Sequence, residues 1–275
     1  MNNEIFTLWI GPPNELMTLC INSWMNLGYN LLLYCDDDNE EELYRLFYNH
    51  KDKIKIKNHT IVPFNDEITN IQAQSDIWRF KYLYLFGGTW LDADMYLLKR
   101  LPNEPNIISS EHTCQTGAYK TVGYTKIPNI GVLRLPSSHP LMEKSLKQTI
   151  KWNDKSRCNK FMLKYQKILR ANEEWMKYVA EPDVYCPVSW CNAKELYYGN
   201  IIKSDKYGIK QLGKFDIIND SIGVHLWNNF TYNKHKINFN KIHPGSLFNE
   251  LREWSKLKEG HGVSIIKENV LVDWK

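Results

Sequence analysis

Between Ile71 and Asp94 the sequence changes its hydrophobic period from helix to strand within a few residues. Ile77, Phe80, Leu83 and Tyr84 recur at helical spacing, so residues 71–86 are expected to form one amphipathic helix. Gly87-Gly88 stops it, because glycine accepts the left-handed backbone that ends helices. Thr89 to Leu91 is short and β-prone, and it runs into Asp92-Ala93-Asp94. In a strand tip, residues two apart point the same way, so Asp92 and Asp94 can converge on one cation. Asp76 and Arg79, three apart, share a helix face. A helix that feeds a strand through so tight a turn belongs in an α/β layer, with the acidic tip at its edge.

The chain on either side fits that frame. Phe6 to Ile10 reads as a buried strand ended by Gly11-Pro12-Pro13. Asn14 can cap a helix to about Leu27, stopped by Gly28, and Leu31 to Cys35 is a second strand tipped by Asp36-Asp37-Asp38. A helix over about 40–49 and one or two strands within Ile54 to Val62 follow. This alternation predicts a Rossmann-like, mostly parallel sheet flanked by helices, with its ligand crevice beyond the carboxyl ends of the strands. Past Arg100 strands are expected at Ile107 to Ser110, Thr116 to Thr121 and Gly131 to Leu135. Helices are expected at Pro140 to Trp152 and Asn159 to Tyr178, and an extended segment at Tyr185 to Trp190. A late strand, Ile222 to Asn228, precedes a helix at about Ser246 to Lys256 and a final strand at Gly262 to Val272. No linker separates the halves, so residues 1–275 are expected to be one domain.

Composition excludes several classes. The net charge of +4 is small for 275 residues and the lysines are dispersed, which argues against nucleic-acid binding. No apolar run reaches membrane-spanning length and no signal peptide is evident, so a soluble, cytoplasmic protein is expected. The six cysteines (Cys20, Cys35, Cys114, Cys158, Cys186 and Cys191) contain no C-x-x-C pair and read as free thiols in a reducing compartment.

A lone D-x-D is usually a pair of solvated turn charges. Here it sits at a strand end behind Gly-Gly and a helix carrying Asp76 and Arg79. The whole run Ala73-Gln74-Ser75-Asp76-Ile77-Trp78-Arg79-Phe80-Lys81-Tyr82-Leu83-Tyr84-Leu85-Phe86-Gly87-Gly88-Thr89-Trp90-Leu91-Asp92-Ala93-Asp94 closely resembles the sugar-binding DxD region of glycosyltransferase family 32 and its α1,4-glycosyltransferase relatives. Trp90 stands where that family usually has Tyr. Leu8-Trp9-Ile10-Gly11 is similar to the family's nucleotide-lining first strand, and Val224-His225-Leu226-Trp227-Asn228 to its H-x-W-N segment.

The resemblance implies a GT-A fold and transfer of a sugar from a nucleotide sugar, UDP-linked by first choice and GDP-mannose by second, with retention of configuration. The acceptor is a glycan or other hydroxyl compound, bound by the C-terminal half. It implies a Mn²⁺ or Mg²⁺ site at Asp92, Asp94 and His225. Asp76 and Arg79 would touch the donor sugar, and Leu8, Trp9, Ile10, Gly11, Ser75, Gly88, Ala93, Trp227 and Asn228 would complete the donor site. The chemistry agrees, since hard cations take carboxylate and diphosphate oxygens and imidazole suits Mn²⁺. Bland readings stand beside these: Asp76 and Arg79 as a surface ion pair, His225 as a core histidine, Asp36 to Asp38 as a solvated turn. Asn129, Glu181 and Asp183 are further candidates near the reaction centre. The alternative function is a non-catalytic nucleotide-sugar or carbohydrate-binding module on a transferase scaffold. A phosphatase fits poorly, because its paired aspartates normally end the first strand.

Overall fold

The structure, a computed structural model, describes residues 3–65, 68, 70–112, 126–149, 158–199, 201–205, 208–212 and 214–260. The expected strands at Thr116 to Thr121 and Gly262 to Val272 lie outside these residues.

In the first half, β1 (Glu4–Trp9), α1 (Glu15–Asn26), β2 (Asn30–Cys35), α2 (Glu40–Leu46), β3 (Ile54–Asn58), α3 (Ile71–Phe86) and β4 (Gly88–Leu91) alternate as the pattern predicts. After β5 (Met95–Leu97) come β6 (Ile107–Glu111) and β7 (Ile127–Leu135). The central sheet has the order β3-β2-β1-β4-β7-β6. Neighbours from β3 to β4 are parallel, and β7 is antiparallel to both β4 and β6. The carboxyl ends of β1, β2, β4 and β6 therefore share one edge with the start of β7. The mainly parallel α/β architecture is the one expected.

Period-two alternation sends side chains to two cores. Ile5, Leu31, Leu33, Leu91 and Val132 pack on the α1 face. Phe6, Leu8, Tyr34, Trp90 and Leu133 pack on the face covered by α3, α4 (Pro140–Thr149) and α5 (Cys158–Arg170). Burial of this kind, worth about 25 cal/mol per Å² of apolar surface, drives the layering. Asn70 caps α3 by accepting from the amides of Gln72 and Ala73. Gly87 ends α3 at φ +67, pressed so tightly against the turn after β7 that a Cβ would stand 2.5 Å from Ser137 N.

The second half departs from the expectation in places. The long helix over Asn159 to Tyr178 is broken: α5 ends at Arg170, and Asn172 caps the one-turn α6 (Glu173–Met176) by accepting from Trp175 N at 3.1 Å. An Asn side chain that can cap competes with helix continuation. Pro182 starts another single turn, α7 (Pro182–Tyr185), just before the segment read as extended. Then come α8 (Glu195–Tyr198), a hairpin of β8 (Ile201–Asp205) and β9 (Gly208–Leu212), α9 (Lys214–Asp220), β10 (Gly223–His225), a π-helical turn over Asn229–Lys234 and α10 (Leu247–Gly260).

Cys20, Cys35 and Cys186 are buried free thiols. Cys191 is disulfide-bonded, which corrects the expectation of six free thiols. Pairing is set by how the fold places Cα atoms, and sequence spacing does not reveal it. Disulfides persist mainly in oxidising compartments, so the argument for a reducing one loses its support. Among the described residues no helix is long and apolar enough to cross a membrane.

Candidate active site

β4 ends where the sheet edge opens, and Asp92 is the next residue. Trp90 and Asp92 lie two apart on one face, and Trp90 Nε1 donates to Asp92 Oδ1 at 2.8 Å. The backbone then turns sharply: Met95 N donates to the Asp92 carbonyl at 2.8 Å, and β5 begins. β5 pairs antiparallel with β10, setting His225 opposite Met95. Leu226 N donates to the Asp94 carbonyl at 2.9 Å and extends the ribbon. His225, 131 positions from Asp94, thus arrives beside the acidic tip through backbone pairing.

Each carboxylate divides its two oxygens between scaffold and site. Asp92 Oδ1 is held by Trp90 and by Arg79 Nη1 at 2.8 Å, leaving Oδ2 3.6 Å from His225 Nε2. Asp94 Oδ2 accepts from Asn228 N at 2.6 Å, leaving Oδ1 2.9 Å from His225 Nε2. Ligand atoms of Asp92, Asp94 and His225 all lie within 4.8 Å of one another. Two carboxylate oxygens and one imidazole nitrogen facing a common point are a donor set suited to a divalent cation such as Mn²⁺.

Electrostatics describe the same cluster. Burial pushes Asp92 upward, and Arg79 only partly offsets it. Burial also pushes Asp94 upward, but His225 and the Asn228 amide outweigh that and hold it below the usual range. Burial disfavours a charged His225, yet the Asp94 carboxylate holds the imidazole well above its ordinary value. Without a metal each of the two groups therefore favours the charged form of the other.

Arg79 bridges the site to α3. Its Nη2 lies 3.3 Å from Asp76 Oδ1, its Nη1 donates to the Ile130 carbonyl at 2.8 Å, and its guanidinium sits 4.4 Å from the Trp90 ring centre. The Asp76–Arg79 pair is buried, so the surface reading of it does not hold. Burial raises Asp76 to about 7 despite Arg79.

Residues 14–114 match the family model described as "Glycosyltransferase sugar-binding region containing DXD motif". Residues 148–254 match a second, "Alpha 1,4-glycosyltransferase conserved region". The chain belongs with the DXD-containing glycosyltransferases. Solved structures similar to the enzyme include the PaToxG glycosyltransferase (16% identity, 64% of this chain, 73% of the other, TM-score 0.43). Another is the glycosyltransferase GlyE of Streptococcus pneumoniae (12% identity, 64% of this chain, 44% of the other, TM-score 0.37). A third is a 4-diphosphocytidyl-2C-methyl-D-erythritol synthase from Anaerococcus prevotii (7% identity, 58% and 81%, TM-score 0.36). No curated protein matches the chain significantly.

The other expected site residues of this glycosyltransferase fall into two groups. Trp9, Ile10 and Gly11 lie at the carboxyl edge of β1, with Trp9 Nε1 on the Pro12 carbonyl at 3.1 Å and Gly11 N on Asp36 Oδ2 at 3.2 Å. Asp36 thus braces the β1 loop instead of standing as a free turn charge. Trp227 takes φ +54, a left-handed backbone rare for a bulky residue, and its ring centre is 4.0 Å from that of His225. That turn aims the Asn228 amide at Asp94, while Asn228 Oδ1 accepts from Asn14 Nδ2 at 2.9 Å. Ser75 is half-buried on α3 next to Asp76.

Leu8 and Ala93 are buried in the two cores. Gly88 opens β4, opposite the end that leads to Asp92, and its φ of +113 serves the helix-to-strand turn. The Gly-Gly pair therefore shapes the turn and does not approach the crevice. Glu181 forms an exposed pair with Lys126 at 2.7 Å, and Asp183 Oδ1 sits 2.6 Å from His112 Nε2.

Three contributors escaped the sequence reading. Trp90 holds Asp92. Gly131 N donates to Asn129 Oδ1 at 3.3 Å, and a Cβ on Gly131 would stand 3.5 Å from Asp92 Oδ2, so the bare glycine leaves room there. Glu111 ends β6 on the same edge, interacts with Asn129 and His225, and is pushed by burial up to about 7. The signal for Glu111 was available: it is an acidic residue ending a strand that runs parallel to β4.

Proposed function

We propose that the enzyme is metal-dependent and moves a sugar from a UDP-sugar, or with second preference GDP-mannose, to a hydroxyl of a glycan or similar acceptor, with retention. One observation carries this reading: Asp92, Asp94 and His225 each turn a single ligand atom to one point at the carboxyl edge of the parallel strands. The remaining oxygen of each carboxylate is already tied to the scaffold, so binding requires little reorganisation. Mn²⁺ is favoured over Mg²⁺ by the imidazole. When bound, the cation would neutralise charge developing on the leaving diphosphate. Arg79 and Asp76 lie beside Asp92, where they would orient the donor sugar. Trp9 and Gly11 would border the nucleotide. Retention follows the family resemblance and lets the leaving phosphate accept the acceptor proton. We assign the donor to about residues 1–100 and the acceptor to about 101–275 of one domain.

Asp94→Ala tests this. Transfer or hydrolysis of the nucleotide sugar should be lost while circular dichroism shows a folded protein. Full activity in the variant, or wild-type activity unaffected by EDTA, refutes metal dependence. A panel of nucleotide sugars with Mn²⁺, read by thermal shift, identifies the donor, because a selective ligand raises the melting point by mass action.

A further inference from the structure

Cys186 has no part in the site as described so far, yet it lies against it. It follows α7, is fully buried and carries a free thiol. Asn129 Nδ2 donates to its Sγ at 3.2 Å, and the thiol interacts with the His225 ring. His225 Nε2 faces the two aspartates, whereas Nδ1 is buried without a regular hydrogen-bond partner.

A metal-bound imidazole ordinarily donates its second N–H to a carboxylate, carbonyl or water, which fixes the tautomer and the ring orientation. The Trp227 ring lies tilted against the His225 imidazole but supplies no acceptor, since its Nε1 donates to the Val188 carbonyl at 2.8 Å. Besides the aspartates, two groups bear on the His225 ring: the Cys186 thiol, by hydrogen bonding, and the Glu111 carboxylate, by its charge.

We propose that Cys186 is the positioning residue for His225: its sulfur accepts the Nδ1–H and keeps Nε2 directed at the cation, and Asn129 anchors the sulfur. Asn129 is itself fixed, because its Oδ1 accepts from Ser109 Oγ and from Gly131 N. β6, β7 and the segment after α7 thereby act together on one imidazole. Sulfur is a weak, neutral acceptor, so it sets the ring's direction while leaving it less basic than a carboxylate partner would. The proposal rests on reading Asp92, Asp94 and His225 as the metal site.

The test measures Mn²⁺ affinity of the full chain from the electron-spin signal of free Mn²⁺, independent of turnover. Cys186→Val fills the space without an acceptor and should weaken Mn²⁺ binding roughly 10- to 100-fold. Cys186→Ser restores an acceptor and should stay within about threefold of wild type. Nitrogen NMR with Mg²⁺ bound should show His225 protonated at Nδ1 in wild type and Cys186→Ser, and a mixture of tautomers in Cys186→Val. Unchanged Mn²⁺ affinity in Cys186→Val, with His225→Ala weakened, overturns this proposal alone. Unchanged affinity in His225→Ala overturns the metal-site reading as well. If Cys186→Val does not fold, equal weakening in the folded Cys186→Ser and in Cys186→Ala would also overturn it, because an acceptor would then make no difference.

Discussion

Replacing Arg79 with Met removes a cation that touches both Asp76 and Asp92. Met keeps much of the volume, so the change is mostly electrostatic. Breaking a buried pair from one side costs about 3–5 kcal/mol, because the partner stays buried without compensation. The lost charged hydrogen bond to the Ile130 carbonyl and the contact with the Trp90 face fall within that range. For a chain this long, about 2–4 °C per kcal/mol gives a melting-point drop of roughly 6–20 °C. The size must depend on pH. Asp76 already titrates near 7 in the folded protein, against about 4 when unfolded. A carboxyl raised in this way binds more protons folded than unfolded, so stability falls as pH climbs through that window. Arg79 lowers Asp76, and without it the window extends upward. At pH 5.5 Asp76 is protonated in both proteins and the deficit is smaller, set by the lost contacts with Asp92, the Ile130 carbonyl and the Trp90 face. At pH 8 it is ionised in wild type and costly in the variant. Melting curves in EDTA at both values should show the gap widening with pH, and Asp76→Asn in the Arg79→Met background should recover part of it at pH 8. A gap that is constant or narrows with pH refutes the argument.

Two further outcomes are expected. Gly87→Ala forces a side chain into φ +67 and a Cβ to 2.5 Å from Ser137 backbone, so it should cost about 3 kcal/mol or more in a denaturant titration; a midpoint within error of wild type would contradict that packing. Glu111, raised to about 7, keeps its proton in the folded protein while the unfolded chain loses it above about 4.5, so stability falls as pH rises from about 4.5 to 7. Metal-free Glu111→Gln should therefore show a shallower fall of melting point over that range than wild type, with Asp76 keeping part of the slope, and superimposable profiles would remove Glu111 from the titrating cluster.

Local signals carried the first half of the fold because its elements are bounded by their own chemistry: Asn14 as a cap, Gly28 and Gly87 as stops, and two-residue alternation within β1 and β2. Asp92 and Asp94 were legible for the same reason. The second half was read less well because its boundaries depend on single residues that can serve two conformations. Asn172 could continue a helix or cap a new one, and Pro182 could precede an extended segment or begin a turn. The role of Gly88 was misplaced because a paired glycine looks the same whether it admits a ligand or reverses a chain. Glu111 had only its place at a strand end to mark it and Cys186 had nothing local, because both matter through their nearness to Asn129 and His225.

The position of His225 shows how narrowly the site is specified. It reaches Asp94 through the short β5–β10 ribbon, in which Gly223, Val224 and His225 face Leu97, Tyr96 and Met95. A slip of one residue would turn every side chain in β10 to the opposite face and withdraw the imidazole from the aspartates. So short a ribbon needs more than its own hydrogen bonds to hold register, and three features supply it. At one end a Cβ on Gly223 would stand 3.1 Å from Met95 Sδ and 3.2 Å from the Tyr96 carbonyl, so a side chain there would push the two strands apart by a few tenths of an ångström. At the other end Trp227 adopts its left-handed turn, and the Asn228 amide locks onto Asp94 Oδ2. Across from both, Trp24 on α1 donates its Nε1 to the Met95 carbonyl at 2.7 Å, fixing β5 against the helix. The strained Trp227 is thus stabilised by the carboxylate it helps to aim. The same backbone turn that costs conformational energy places one donor on Asp94 Oδ2 and leaves Oδ1 for the site.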